Sequence, residues 1–230
     1  RLGNSLLVEG LAVLVMWTIA LPIGIYVAVK KYSLGDYLAT IAGFIGLAIP
    51  NFLMALLLMY LSFVWFGTTI GGLYSPGFEN AHWSIPKLMD FLSRAWAPVL
   101  VLATAGTAEL IRILRANLLD ELKKPYVTTA RAKGLPEWKV ILKYPVRVAL
   151  NPLVSTIGWL LPALVSSSVI VSVVLNLPTA GPLLLRSLTS QDMYLAGAII
   201  MLLGVLTVIG TLISDLLLAW IAPRIRYGSK

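Results

Sequence analysis

The sequence predicts an all-α fold, a polytopic bundle of membrane-spanning helices, on three observations. Of its 230 residues, 59% are hydrophobic and only 12% charged, about half the charge a soluble globule carries to cover its surface. The apolar residues fall in runs of about twenty or more, the length that crosses a hydrocarbon core ~30 Å thick. The basic residues sit between those runs, where positive charge marks the cytoplasmic side. The net charge of +8 therefore belongs to loops and does not make a nucleic-acid face. With no cysteine, disulfides, zinc–thiolate sites and iron–sulfur clusters are excluded. His82 is the single histidine, which reads as an ordinary loop residue and argues against a metal centre.

Five spans follow in order, at about 5–29, 37–66, 96–117, 150–175 and 197–221. In the first, Glu9 lies near the outer end and is expected to reach the interface. The second and fourth carry Pro50 and Pro162 at depth, tolerated where neighbouring helices satisfy the freed carbonyl. A kink is the plainer reading of each, a moving hinge the sharper one. Gly43 and Gly46 in the second span, and Gly204, Gly210 and Ser214 in the fifth, provide small surfaces for close helix packing. Near the inner end of the third span stand Glu109, Arg112 and Arg115. Glu109 and Arg112 are three residues apart on one helical face and are expected to pair, with a gate as the alternative role. Asp215 lies some six residues from the inner end of the last span. A carboxylate at mid-membrane costs roughly 2.5–3.5 kcal/mol, so Asp215 is expected to face other helices or water, with helix packing favoured over contact with transported substrate. Tyr74, Phe78, Trp83 and Trp96 flank the outer loop, which interfacial anchoring explains at least as well as sugar stacking.

The basic residues orient the spans. Lys30, Lys31, nine in the central segment 112–149, and Arg224, Arg226 and Lys230 make 14 of the 18. Arg1, Lys87, Arg94 and Arg186 are left for the other side. The first group is expected inside, so 67–95 and 176–196 face outward. Five spans that end inside put the amino end outside. The first span has neither a basic leader nor a cleavage site, so an upstream segment with one further span is expected.

The central segment, about 118–149, carries the most information. Pro125 ends one helix, Gly134 ends a second of about eight residues from Tyr126 to Lys133, and Pro136 suits the first turn of a third. An eight-residue helix is too short to hold alone in water and must pack on something. Val127, Ala130 and Gly134 share one side of it, a low-relief face suited to docking in a groove of another protein.

The residues here resemble a known family. Tyr126-Val127-Thr128-Thr129-Ala130-Arg131-Ala132-Lys133-Gly134-Leu135 is similar to the Glu-Ala-Ala-x-x-x-Gly coupling loop of ABC importer permeases. Its Ala-Arg-Ala-Lys-Gly-Leu run is similar to the oligopeptide, dipeptide and nickel branch. Leu21-Pro22-Ile23-Gly24-Ile25, Ile49-Pro50-Asn51-Phe52, Arg147-Val148-Ala149-Leu150-Asn151-Pro152, Asp215-Leu216-Leu217 and Pro223-Arg224-Ile225-Arg226 extend the likeness in order along nearly the whole chain. Thr128 and Thr129 replace the motif's Glu and Ala, Val148 stands where the branch prefers Asn, and Ala222 where it prefers Asp.

The resemblance implies one transmembrane domain over 1–230 and a permease subunit in the inner membrane of a prokaryote. It implies a second related permease, two cytoplasmic ATPases and an extracytoplasmic solute-binding protein. ATP and Mg would sit on the ATPases, and this chain would bind no cofactor. The chain lacks Gly-x-x-x-x-Gly-Lys-Ser/Thr, so it has no such cradle for nucleotide phosphates. Peptides are the default cargo of the branch, with oligosaccharides and nickel complexes carried by relatives. The alternative is a self-contained secondary transporter or channel, which would show internal repeats, paired broken helices and a coupling acid. The sequence shows no convincing repeat, and only Asp215 offers such an acid. An intramembrane enzyme would need a nucleophile–base or metal constellation, which one histidine and no His-Glu-x-x-His cannot build.

Overall fold

The structure, a computed structural model, describes residues 1–79 and 81–221, with the backbone alone for 157–167, 214, 217, 218, 220 and 221. The tail with Arg224, Arg226 and Lys230, and the resemblance at Pro223–Arg226, lie outside the described residues, as do the side chains of Pro162 and Ser214.

Among the described residues every regular element is a helix: α1 (Leu2–Val29), α2 (Leu34–Ala48), α3 (Asn51–Phe66), α4 (Ile85–Glu121), α5 (Pro125–Ala132), α6 (Glu137–Lys143), α7 (Pro145–Val174), α8 (Ala180–Thr189) and α9 (Met193–Ile221). Helices α1, α4 and α9 are long and apolar enough to cross a membrane, and α2 with α3 qualifies as a bent pair. At 30 residues, α7 stands where the fourth span was expected.

The second span bends at Pro50, where a kink was the plainer expectation, and bends sharply enough to part 37–66 into two helices. α2 and α3 meet at 99°. Pro50 has φ −59° and ψ 141°, it has no N–H to donate, and its ring pushes Ile49 out of the helical region. The chain restarts at once, with Met54 N–H donating to the Pro50 carbonyl at 3.0 Å. The third span begins at Ile85, well before residue 96. The segment 176–196, expected as an outer loop, is not all loop, since it contains α8.

The chain divides into two compact units. Arg1–Met16, Ala48–Ala105 and Pro162–Leu206 form one; Trp17–Leu47, Gly106–Leu161 and, as far as it is described, Thr207–Lys230 form the other.

In the first unit Ser5, Val8, Glu9, Ala12 and Met16 are buried along one face of α1, at the spacing of a helical stripe. Glu9 therefore does not reach the interface. It is only 6% exposed, and Ser168 Oγ donates to its Oε1 at 2.8 Å. Helix α1 starts at Leu2, which puts Glu9 inside the helix on the face that packs. Tyr74 is a second correction: it is a core residue and not an interfacial anchor. It lies against Phe91 with ring centroids 5.9 Å apart, and its hydroxyl donates to Asn4 Oδ1 at 3.0 Å. Trp83 and Trp96 stay exposed, as anchors do. A methyl group on Gly181 would lie 2.8 Å from Val169 Cα, so this glycine permits a close backbone approach.

In the second unit Ala20, Val27, Leu110, Leu114, Leu118 and Leu153 are buried. α1 and α4 touch where Gly24 faces Leu114, with 2.8 Å to Cδ2 from where a Cβ would stand. Of the small residues expected to pack closely, Gly43 faces Ala108 at an ordinary 3.7 Å, whereas Gly204 faces open space.

Candidate functional site

The segment between α4 and α7 folds as two short helices locked to each other. α4 runs out at Glu121, and Lys123 and Lys124 N–H groups donate to the Asp120 and Glu121 carbonyls at 3.3 and 3.1 Å. Pro125 opens α5 at its first position; it does not end α4. Its missing N–H costs nothing there, and its ring presets φ. The Tyr126 hydroxyl donates to Glu121 Oε2, tying the first turn of α5 to the end of α4. Burial, and then this bond to a carboxylate, push the Tyr126 hydroxyl's pKa well above the usual tyrosine value.

α5 ends at Ala132, two residues before Gly134, whose φ of +74° is a left-handed conformation that glycine adopts without a Cβ penalty. Gly134 N–H closes the turn on the Arg131 carbonyl at 2.9 Å. Pro136 caps α6 from outside, with φ −63° and ψ 141°, and does not sit in its first turn. The reversal brings α6 back against α5. Val127 and Val140 are fully buried and Ala130 nearly so, with Leu135 and Tyr144 packed on them.

This burial corrects the docking face. Val127 and Ala130 point into the chain's own core, so they cannot meet another protein. The periodicity that marked them as one side was right; the side faces α6. Thr128, Thr129, Arg131, Ala132 and Lys133 form the exposed side, a small, hydroxyl-bearing surface with a basic end. Across the turn, Arg131 Nη2 lies 2.6 Å from Glu137 Oε1, and its Nε reaches both carboxylate oxygens at 3.2 and 3.1 Å. The Arg131 hydrogen bonds hold the Glu137 carboxyl below its ordinary pKa.

In the C-terminal part of α4 the expected pair forms, and Arg115 makes a closer one. Glu109 and Arg112 do approach, but only to 3.8 Å and with Arg112 largely exposed. The strong pair is Arg115 with Asp36: Nε to Oδ1 at 2.8 Å and Nη2 to Oδ2 at 2.7 Å. Asp36 is 3% exposed and also accepts the Tyr32 N–H at 2.9 Å. Sequence reasoning missed this pair, since 79 residues separate its members. The available signal was one acid at the start of α2, just after two lysines. Asp215 lies exposed on α9 and, among the described residues, makes no ion pair with Arg112. Nor do the described residues contain a group of three metal-ligating side chains.

In the first unit, polar bonds organise the loops. Asp90 accepts the Ser75 N–H at 2.7 Å and the Ser75 hydroxyl, and Arg94 Nε donates to that hydroxyl's oxygen at 3.1 Å. Buried Lys87 donates to the Ala81 carbonyl at 2.6 Å, and its ammonium lies 4.9 Å from the Tyr74 ring centroid.

Residues 20–227 match the family described as binding-protein-dependent transport system inner membrane component. The oligopeptide transport system permease protein AppB of Bacillus subtilis is 37% identical over 230 residues, covering 99% of this chain and 70% of that protein. OppB, an oligopeptide transport system permease protein of Mycobacterium tuberculosis, is 31% identical over 89% of this chain and 64% of its own length. For the dipeptide transport system permease protein DppB of Escherichia coli, the identity is 28% over 91% of this chain and 66% of that protein.

Proposed function

The chain belongs to the family of binding-protein-dependent transport system inner membrane components, and on that premise we propose that it is the permease subunit of an ABC importer that admits peptides. The observation that carries the cargo is the 37% identity to an oligopeptide permease along 99% of the chain. The site in a prokaryotic inner membrane, crossed several times, is proposed on the same ground. The orientation is proposed from the basic residues: the amino end outside, and the segment about 118–149 in the cytoplasm.

ATP and Mg belong, in this reading, to two cytoplasmic ATPases, and a solute-binding protein delivers the cargo. One short helix per permease engages one ATPase, so a second, related permease completes the pair. The exposed side of α5 is the surface offered to the ATPase, with Tyr126 to Leu135 as the coupling segment. Its construction suits transmission of motion. Val127, Ala130 and Val140 join α5 to α6 through a common core, Arg131 staples their ends, and Tyr126 holds the end of α4. Only Tyr144 separates α6 from α7. A push on α5 therefore moves a small body and not a loose loop, the kind of two-state element that nucleotide can bias. Glu109, Arg112 and Asp215 remain candidates for gating or helix pairing.

The test is uptake of a labelled oligopeptide into proteoliposomes. Uptake is expected only when the chain is assembled with a second permease, ATPases, a binding protein and ATP with Mg. Uptake by this chain alone would overturn the reading in favour of a self-contained transporter. The bent pair α2–α3 is one feature such a transporter would show, and among the described residues it has no second pair to match it.

A further inference from the structure

An open groove of about 310 Å³ runs between the last turns of α1 and the short helix α6. Pro22, Ile25 and Val29 form one wall, Trp138, Ile141 and Leu142 the other, and Lys30 stands at the end. We propose that this groove holds an acidic glycerophospholipid, an acyl chain lying along its walls and the phosphate at Lys30 and Lys139.

Its composition selects an amphiphile. The walls offer almost no hydrogen-bonding partner, so a polar solute would lose its water without compensation. The basic end disfavours a cation and attracts an anion. Lys139 places a second cation beside the groove, its Nζ lying 5.3 Å from the centroid of the Trp138 ring that lines it. Among the described residues neither Lys30 nor Lys139 pairs with a carboxylate, and Glu137, the acid of α6, is held by Arg131.

Its position selects the bilayer as the source. α1 is long and apolar enough to cross the membrane, and Pro22 to Lys30 spans about 12 Å of it at 1.5 Å per residue. That distance runs from hydrocarbon to the first lysines, where headgroups begin. On α6, Trp138 and Leu142 are 61% and 51% exposed. Water disfavours that surface, whereas an interfacial lipid suits both it and the lysines beside it. Basic pockets between helices on the cytoplasmic side attract acidic headgroups. This inference depends on the membrane setting and not on the cargo, so its failure would leave peptide uptake untouched.

The test uses the whole transporter complex in phosphatidylcholine nanodiscs that contain increasing fractions of brominated lipid, since bromine quenches tryptophan on contact. The difference between the native complex and one with Trp138→Phe isolates the signal of Trp138. Half-maximal quenching is expected at about tenfold lower fraction of brominated phosphatidylglycerol than of brominated phosphatidylcholine. Lys30→Gln with Lys139→Gln should erase that preference and leave quenching by both lipids. Equal quenching by the two lipids in the native complex would overturn the proposal, as would a preference that survives the double substitution. Absence of any Trp138-dependent quenching would mean that protein covers the groove, and would overturn it too.

Discussion

The loops of the first unit and the short helices of the second are held by different physics. In the first unit, residues 67–84 and 175–182 are tied to distant parts of the chain by polar bonds. Asn4 Nδ2 donates to the Pro178 carbonyl at 3.0 Å and Asn4 accepts from Tyr74. Ser5 Oγ accepts the Ala180 N–H at 2.9 Å, and Asp90 holds Ser75. In the second unit, 125–144 is held by a small apolar cluster of its own, one exposed ion pair and a single bond from Tyr126 to Glu121 at the end of α4. The first arrangement is a set of directional bonds, each expensive to leave unmade once buried. The second is mainly a hydrophobic contact, which excludes water and itself sets no partner outside the segment. Loops pinned by long-range bonds are fixed in place relative to the helices that bear them. A segment with its own core keeps its shape and can move as a body, which is what a coupling element requires.

The comparison breaks most visibly at Ala130. Ala130→Glu puts a carboxylate into the α5–α6 contact, where an uncompensated buried charge costs about 3 kcal/mol or more. Amide hydrogen exchange should then rise throughout 125–143 and stay unchanged at 67–84. A protected segment in this variant would mean that the cluster does not hold it. The counterpart in the first unit is Asp90→Ala, which leaves the Ser75 N–H without its acceptor. A loss of about 2 kcal/mol is expected, read as faster proteolysis within 68–84 and normal exchange at 125–143. If both regions loosened together, the two would not be separately held.

Smaller effects sharpen the contrast. Asn4→Leu removes the bonds to Tyr74 and Pro178 and should cost about 1–2 kcal/mol, with exchange rising in both loops although they lie about a hundred residues apart in sequence. A response in one loop alone would show that Asn4 is not their common anchor. Gly134→Ala must place a Cβ at φ +74°, worth about 1 kcal/mol. No atom lies within 4 Å of that position, so strain of the turn is its only source. Transport should slow while ATPase binding persists, and Gly134→Asn, which tolerates this conformation better, should restore part of the rate.

The smallest effect is that of pH. The Glu137 carboxyl has a lowered pKa in the fold, so its contribution is complete above the ordinary glutamate value of about 4.3 and is lost as pH falls through the lower, folded value. Exchange at 131–137 should therefore be flat from pH 8 to 5 after correction for intrinsic rates, and rise only at lower pH. Because the pair is exposed, the change should be slight. Glu137→Gln should remove it, and an acid-dependent rise that survived that substitution would assign it to another group.

Much of this was legible in the chain itself. The apolar runs placed α1, α4, α7 and α9, because a span is a matter of length and composition. Pro50 marked the break between α2 and α3, and Pro125 and Gly134 marked the ends of the short helix, because each restricts or frees its own backbone. Three-dimensional partners were not legible. Nothing local says that Asp36 meets Arg115, or that Glu9 turns inward to Ser168 rather than outward to water. The periodicity of α5 put Val127 and Ala130 on one side, but only the fold shows that α6 returns to cover that side.

The sequence by itself thus determined which runs are helical spans, where proline and glycine interrupt them, and which residues share a helical face, since those depend on composition, on backbone torsions and on the 3.6-residue repeat. The tertiary structure alone decided which face is inside. Burial is a property of two surfaces in contact, and the second surface comes from residues far along the chain.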